Sequence, residues 1–125
     1  QAASRVSFTF AVVLKAEDRM IGSMGIGQNV AHNRAEIGYW MGKRYWGQGY
    51  ASEACRRVIQ YGFEALDLNR IQASYFTRNP ASRRVMEKAG MRFEGVLRQY
   101  LFKWGEYIDL GYCSILRSEW SAPTA

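Results

Sequence analysis

The segment Arg44-Tyr45-Trp46-Gly47-Gln48-Gly49-Tyr50-Ala51 constrains this chain more than any other stretch. Two glycines, one residue apart, stand between an alternating apolar run and a long amphipathic one, and an arginine precedes the first glycine by three positions. Glycine tolerates positive φ and lets a backbone approach a ligand closely. A helix that starts just after such a loop offers unpaired N–H groups and the positive end of its dipole. Together these make an anion site, and the segment reads as a phosphate cradle.

The flanking patterns set the fold. Ser7 to Lys15 alternates, with Phe8, Phe10, Val12 and Leu14 on one face and Thr9, Ala11 and Val13 on the other, which predicts a strand. Ala16-Glu17-Asp18-Arg19 is a polar turn, and Met20 to Ile26 returns as the second strand of a hairpin. Gly22, Gly25 and Gly27 in that strand signal bulges or close backbone contact. After a loop over Gln28 to Arg34, Ala35 to Met41 is a third strand aimed at the cradle. Ile37, Tyr39 and Met41 share one of its faces, and Glu36, Gly38 and Trp40 share the other.

Ala51, Ala54, Cys55, Val58, Gly62, Ala65 and Leu66 recur at helical spacing, so a helix is expected from Gly49 or Tyr50 to Leu68. Gly62 costs about 1 kcal/mol against Ala in a helix interior, which points to close packing on a sheet. Asn69 suits the stop. Arg70 to Thr77 alternates as a strand through Ile71, Ala73 and Tyr75. Strand, helix, strand is a crossover, so the two strands should lie parallel or splay apart. Asn79-Pro80 opens a second helix with Asn79 as N-cap, Val85, Met86 and Ala89 form its apolar face, and Gly90 ends it. Met91 to Trp104, a turn at Trp104-Gly105-Glu106, and Tyr107 to Leu116 complete the chain. The predicted order is ββ-β-α-β-α-β-β: one mixed α+β domain spanning 1–125, with its core over about 7–120.

Composition narrows the partners. A net charge of +6 favours an anionic ligand, and the basic pairs Lys43-Arg44, Arg56-Arg57 and Arg83-Arg84 are too dispersed for a nucleic-acid track, so direct nucleic-acid binding is not expected. Cys55 and Cys113 lie far apart, which excludes a disulfide framework and any CxxC metal signature. Cys55 falls in the apolar helical pattern and reads as a buried hydrophobe. His32 is the only histidine, so no metal site is expected. The sequence shows neither a signal peptide nor a membrane span, and a cytoplasmic protein is expected.

Arg44-x-x-Gly47-x-Gly49 resembles the pyrophosphate motif of the GNAT acetyltransferases. Its surroundings resemble the branch that acetylates ribosomal-protein N-termini: Glu36-Ile37-Gly38-Tyr39-Trp40, Trp46 through Ala54, Asn79-Pro80-Ala81-Ser82, Glu87 through Gly95, and Gly105 with Asp109. The likeness runs from about Ser7 to Trp120. It implies a mostly antiparallel sheet with one splayed parallel pair, acetyl-CoA as cosubstrate, and an amine acceptor such as a protein N-terminus or a small amine. The family pattern has a strand and one or two helices before the first hairpin, whereas this sequence starts at what would be its second strand. A truncated product, a fragment, or a site completed by a partner chain are the readings left open. The hairpin edge at Phe8 to Leu14 makes a homo-oligomer one such arrangement.

The resemblance also assigns roles. Backbone N–H groups of Trp46, Gly47, Gln48, Gly49, Tyr50 and Ala51 would cradle the pyrophosphate, and the pantetheine arm would run along Tyr39, Trp40 and Met41 as an extra strand. Asn79 and Ser82 would hydrogen-bond the arm near its thiol, and Arg44 or Lys43, with Arg83 or Arg84, would meet phosphates. Many members place a tyrosine acid seven residues after the asparagine; here that position is Met86, which leaves Ser82 as the nearest donor. Glu36 is the expected base, directly or through water, ahead of Glu94, Glu106 and Asp109; Asp109 is expected instead to fix the terminal hairpin. Trp40, Tyr45 and Trp46 are candidates for the acceptor mouth. Two competing readings are a CoA-binding remnant without transfer activity and a basic ribosome- or RNA-binding module, the latter predicting steeply salt-sensitive binding.

Overall fold

The computed structural model describes residues 5–122. Six strands form one sheet, in the order β1-β2-β3-β4-β6-β5. They are β1 (Arg5–Leu14), β2 (Arg19–Asn29), β3 (Arg34–Met41), β4 (Arg70–Phe76), β5 (Arg92–Lys103) and β6 (Glu106–Leu116). Helix α1 (Tyr50–Glu64) links β3 to β4, and α2 (Pro80–Lys88) links β4 to β5. Only β3 and β4 run parallel, as their crossover requires. Every other neighbouring pair is antiparallel.

Alternation decides what each strand buries. Met24 and Ile26 of β2, Ile37 of β3, Ile71 and Ala73 of β4, and Cys113 and Ile115 of β6 point to one face. Cys55, Val58, Ile59 and Phe63 of α1 and Met86 of α2 close over that face in a single core. Phe8 and Phe10 of β1 meet the Tyr61 ring edge-on, at 5.7 and 5.2 Å, so α1 reaches the sheet edge. The opposite face carries no helix among the described residues. It holds Glu36 of β3, Gln72 and Ser74 of β4, and Tyr112 of β6, in register across the strands.

Two expectations shift. Helix α1 ends at Glu64, four residues before Leu68. Asp67 takes a left-handed φ of 55°, the Leu68 N–H bonds back to the Gly62 carbonyl at 3.1 Å, and Leu68 drops fully into the core. Arg117, the first residue after the last strand, donates to the Phe63 and Leu68 carbonyls at 2.9 and 3.3 Å, satisfying the helix end. The second strand also runs to Asn29 rather than Ile26, so the loop before β3 shrinks to a turn at Val30–His32. Of its glycines, Gly22 is the close contact: a Cβ there would stand 2.4 Å from the Trp40 carbonyl oxygen. The bulge lies across from it, between Val12 and Val13. Asp109 does fix the last hairpin, its Oδ1 accepting from the Gln99 N–H at 2.7 Å, where Gln99 holds a φ of 52°.

Candidate active site

Strands β3 and β4 pair only from Arg34 to Ile37 against Arg70 to Ala73. Beyond that, β3 continues along β2 as far as Met41, and β4 continues along β6 as far as Phe76. The two part, and a cleft of about 630 Å³ opens between them. It passes through the sheet. Tyr39, Ser82 and Val85 line it on the helix side, and Glu36, Ser74 and Leu110 on the open side. Past Ile37 the β4-facing backbone of β3 has no strand partner, which leaves room for an extended chain to pair there. The Met41 carbonyl is already taken, accepting from the Trp46 indole Nε1 at 2.7 Å.

The glycine loop stands at one end of the cleft. Gly47 and Gly49 hold φ of +75° and +84°, and a Cβ on either would meet no protein atom within 4 Å. Backbone conformation therefore demands glycine, and the space beside it is open to a ligand. Gly49 is the N-cap of α1, and the first bond of the helix runs from the Glu53 N–H to the Gly49 carbonyl at 3.0 Å. The N–H groups of Tyr50, Ala51 and Ser52 consequently have no intrahelical partner. The Trp46 N–H does not join them. It donates to the Lys43 carbonyl at 3.2 Å, so the cradle begins at Gly47.

Of the side chains expected here, Trp46 lines the cleft, together with Trp40 and Tyr45. Arg44, Gln48 and the Tyr50 ring shape the loop instead. Gln48 Nε2 donates to the Arg44 carbonyl at 3.1 Å, the Arg44 guanidinium sits 5.8 Å from the Tyr45 ring centre, and the Tyr45 and Tyr50 rings meet edge-on at 6.2 Å. On α2, Arg84 and Lys88 line the cleft. Arg83 is committed elsewhere, paired with Glu87 at 3.2 Å and stacked 3.9 Å over the Phe93 ring.

Ser82 is the hub of the helix-side wall. Its Oγ accepts from the Tyr39 hydroxyl at 3.3 Å and from Asn79 Nδ2 at 3.2 Å. Asn79 occupies the N-cap position of α2, but its side chain makes no capping bond. A serine hydroxyl accepts two hydrogen bonds and donates one, so with both acceptor sites filled the Ser82 hydrogen is free to point into the cleft. Burial, opposed by the Ser82 contact, raises the Tyr39 phenol above its ordinary range, so it stays protonated and a donor at neutral pH. Met86, at the position where a tyrosine acid was sought, is buried in the core. Cys55 lies in the core too, its thiol pushed up to about 12 by burial.

Glu36 stands on the open face at the point where the strands part. Its carboxylate accepts from Gln72 Nε2 at 3.0 Å and from Ser74 Oγ at 3.5 Å. The weaker base candidates are all occupied. Glu94 takes both ends of the Arg70 guanidinium at 2.8 and 2.9 Å and also accepts from Ser114, and the arginine chiefly holds its carboxyl down at about 2. Glu106 pairs with Arg78 at 3.3 Å. Sequence reasoning missed the Tyr39 hydroxyl, Ser74, Gln72 and Tyr75. The alternation of β4 carried a signal for two of them, since it puts Gln72 and Ser74 on the face opposite Ile71 and Ala73. Nothing local reveals that Gln72 pairs across to Glu36; that is set by the parallel register.

Parallel strands that part beside a glycine-built helix start define the class of acyl-CoA N-acyltransferase folds. Residues 1–92 match the family model described as an acetyltransferase (GNAT) domain, and the chain belongs to that family. It is 39% identical over 113 residues to the "uncharacterized N-acetyltransferase p20" of Bacillus licheniformis, covering 90% of this chain and 64% of that protein. It is 32% identical to the ribosomal-protein-serine acetyltransferase of Escherichia coli, covering 82% of this chain and 59% of that protein. Among solved structures, RimJ of Mycobacterium smegmatis in complex with CoA-disulfide superposes with a TM-score of 0.82 at 33% identity, over 90% of this chain and 54% of that one. The chain thus spans about three fifths of the length of each of these two curated relatives. No helix among the described residues is long and apolar enough to cross a membrane.

Proposed function

We propose that this domain transfers the acetyl group of acetyl-CoA to a primary amine by direct attack, with a protein N-terminus as the acceptor. One observation carries the reading: a single cleft joins the Gly47–Gly49 loop, the free Ser82 hydroxyl and the Glu36 carboxylate. The fit to CoA rests on two open glycine positions at positive φ, three unpartnered N–H groups at the α1 start, and the Arg84 and Lys88 cations on the facing helix. The E. coli relative, which acts on ribosomal protein, supports a protein N-terminus as acceptor.

Bound there, acetyl-CoA would supply an activated acyl carbon. The chain's own groups do the rest. Gly47 to Ala51 hold the pyrophosphate through backbone N–H groups, and the unpaired β3 backbone from Gly38 to Trp40 aligns the arm. Glu36 takes the proton that the amine gives up, directly or through one water, as the carbon–nitrogen bond forms. Ser82 donates a hydrogen bond to the sulfur as the carbon–sulfur bond breaks and the thiolate leaves. Tyr39 and Asn79 keep that hydroxyl in place from two sides.

The test is direct. Acetyl-CoA and CoA, each at millimolar concentration, should raise the melting temperature, and thiol release should appear with a peptide bearing a free α-amine. Absence of a thermal shift would overturn the CoA reading. A shift without thiol release across peptide, polyamine and amino-sugar acceptors would reduce the domain to a CoA binder.

A further inference from the structure

We propose that Gln72 is a positioning residue for Glu36, and that the Arg70–Glu94 ion pair fixes Gln72 in the one orientation that allows it. The inference rests on the reading of Glu36 as the base. It is built from four side chains in line on the open face of the sheet.

The parallel register sets Glu36 directly beside Gln72. Gln72 Nε2 donates to Glu36 Oε1 at 3.0 Å, while Gln72 Oε1 accepts from Arg70 Nε at 3.0 Å. A glutamine amide has a donor end and an acceptor end, and it can turn over. Here it cannot do so without loss. The Arg70 guanidinium only donates, and an ionised Glu36 only accepts, so a flipped amide would set donor against donor and acceptor against acceptor. Arg70 spends its two terminal nitrogens on Glu94, at 2.8 and 2.9 Å, a bidentate fork that fixes the guanidinium plane. Ser114 donates to Glu94 from β6 and closes the line. Ser74 adds a longer contact to the other Glu36 oxygen, and lies opposite Tyr112 on β6.

Two consequences follow for the carboxylate. Glutamate has three rotatable bonds, and a reacting group displaced by about 1 Å can lose about a hundredfold in rate, so an anchored oxygen matters. Glu94 also absorbs the Arg70 charge. Glu36 thus receives neutral donors from Gln72 and Ser74, and no cation pairs with it among the described residues. An incoming ammonium meets a carboxylate that is held yet not neutralised.

The experiment is a double-mutant cycle in the full chain, read as thiol release from acetyl-CoA with a short peptide bearing a free α-amine. Gln72→Met is near-isosteric and removes both amide bonds; Gln72→Asn, which shortens the reach, is the second variant. Each is expected to lower kcat about tenfold with KM for acetyl-CoA unchanged. In a Glu36→Gln background the same changes should cost less than about twofold, because the residue acts through the carboxylate already removed. An equal fall in both backgrounds, or no fall in the native one, overturns the relay. If Glu36→Gln turns over like the native chain, the base reading itself is wrong and the relay falls with it. One readout needs no turnover. The Gln72 side-chain amide gives a pair of NMR signals that should shift on Glu36→Gln and exchange faster on Arg70→Met. Signals unmoved by both changes overturn the relay without reference to catalysis.

Discussion

The Tyr39 hydroxyl donates to Ser82 Oγ across 3.3 Å, tying the strand that leads into the glycine loop to the helix that follows the splay. With Asn79 filling the other acceptor site at 3.2 Å, the Ser82 hydrogen is left for the cleft. Ser82→Ala should therefore lower kcat at least about tenfold, the value of a hydrogen bond to a charged group, with little change in KM for acetyl-CoA. Tyr39→Phe should cost less in rate and about 1 kcal/mol in stability. Steady-state kinetics and thermal melts separate the two. A Ser82→Ala chain with native kcat would remove Ser82 from the chemistry.

The φ of +84° at Gly49 sets a penalty independent of any ligand. Gly49→Ala should destabilise the domain by about 1–2 kcal/mol. Gly49→Trp should in addition abolish the CoA-induced rise in melting temperature, because the side chain fills the open space. A Gly49→Trp chain that still responds to CoA would place the cofactor elsewhere.

Two further glycines are held by packing, and they should respond differently. At Gly62 a Cβ would meet the tips of Ile71, Leu68 and Ile26 at 2.7, 3.1 and 3.2 Å. Alanine gains about 1 kcal/mol of helix propensity. It loses about 2 kcal/mol to overpacking among buried side chains, so Gly62→Ala should be destabilising by about 1 kcal/mol net. At Gly111 a Cβ would lie 2.3–2.5 Å from the Tyr75 ring, which is rigid and almost fully buried. Gly111→Ala should cost about 3 kcal/mol and disturb the cleft wall that Tyr75 helps form. Combined with Tyr75→Ala it should cost less than the sum of the two changes. Strict additivity in chemical denaturation would show that the ring moves aside freely.

Glu94 gives the fold a pH dependence of defined sign. Its carboxyl is lowered from the usual 4.5 to about 2, first by Arg70 and then by Ser114. A carboxyl depressed in the folded state stabilises above its unfolded pKa, and that contribution disappears as pH falls through the folded value. Glu94→Gln should therefore be less stable than the native chain by a constant margin above about pH 4.5, and the gap should close on approach to about pH 2. The side chain is about two-fifths exposed, so the margin is that of a partly screened pair. Urea midpoints across this range test it, and a gap that does not narrow would contradict the pairing.

Much of the fold was legible because two periodicities are local. Alternation from Phe8 to Val12 and from Ile37 to Met41 marks strands, and the recurrence of Ala51, Cys55 and Val58 marks a helix, whatever lies nearby. The errors fell at ends. The apolar period of α1 continues to Leu66 and Leu68, but Arg117, just past the last strand, reaches in to take the Phe63 and Leu68 carbonyls, and the helix closes early. Asn79 was rightly placed at a helix start, yet its side chain serves Ser82 and not the backbone.

By itself the sequence determined the order of elements and the glycine loop before a long helix, and hence a helix start with unpartnered N–H groups within an α+β sheet. Each follows from spacing within a few residues. Only the tertiary structure decided that Arg84 and Lys88 rather than Arg83 line the cleft, and that Glu36 is held by Gln72. The Glu36–Gln72 bond joins residues 36 positions apart that only the register of β3 against β4 brings together, and the face that α2 turns to the cleft is set by Met86 and Ala89 packing into the core. A side chain with several polar neighbours goes to the one that packing brings within about 3 Å, and that choice is absent from any local pattern.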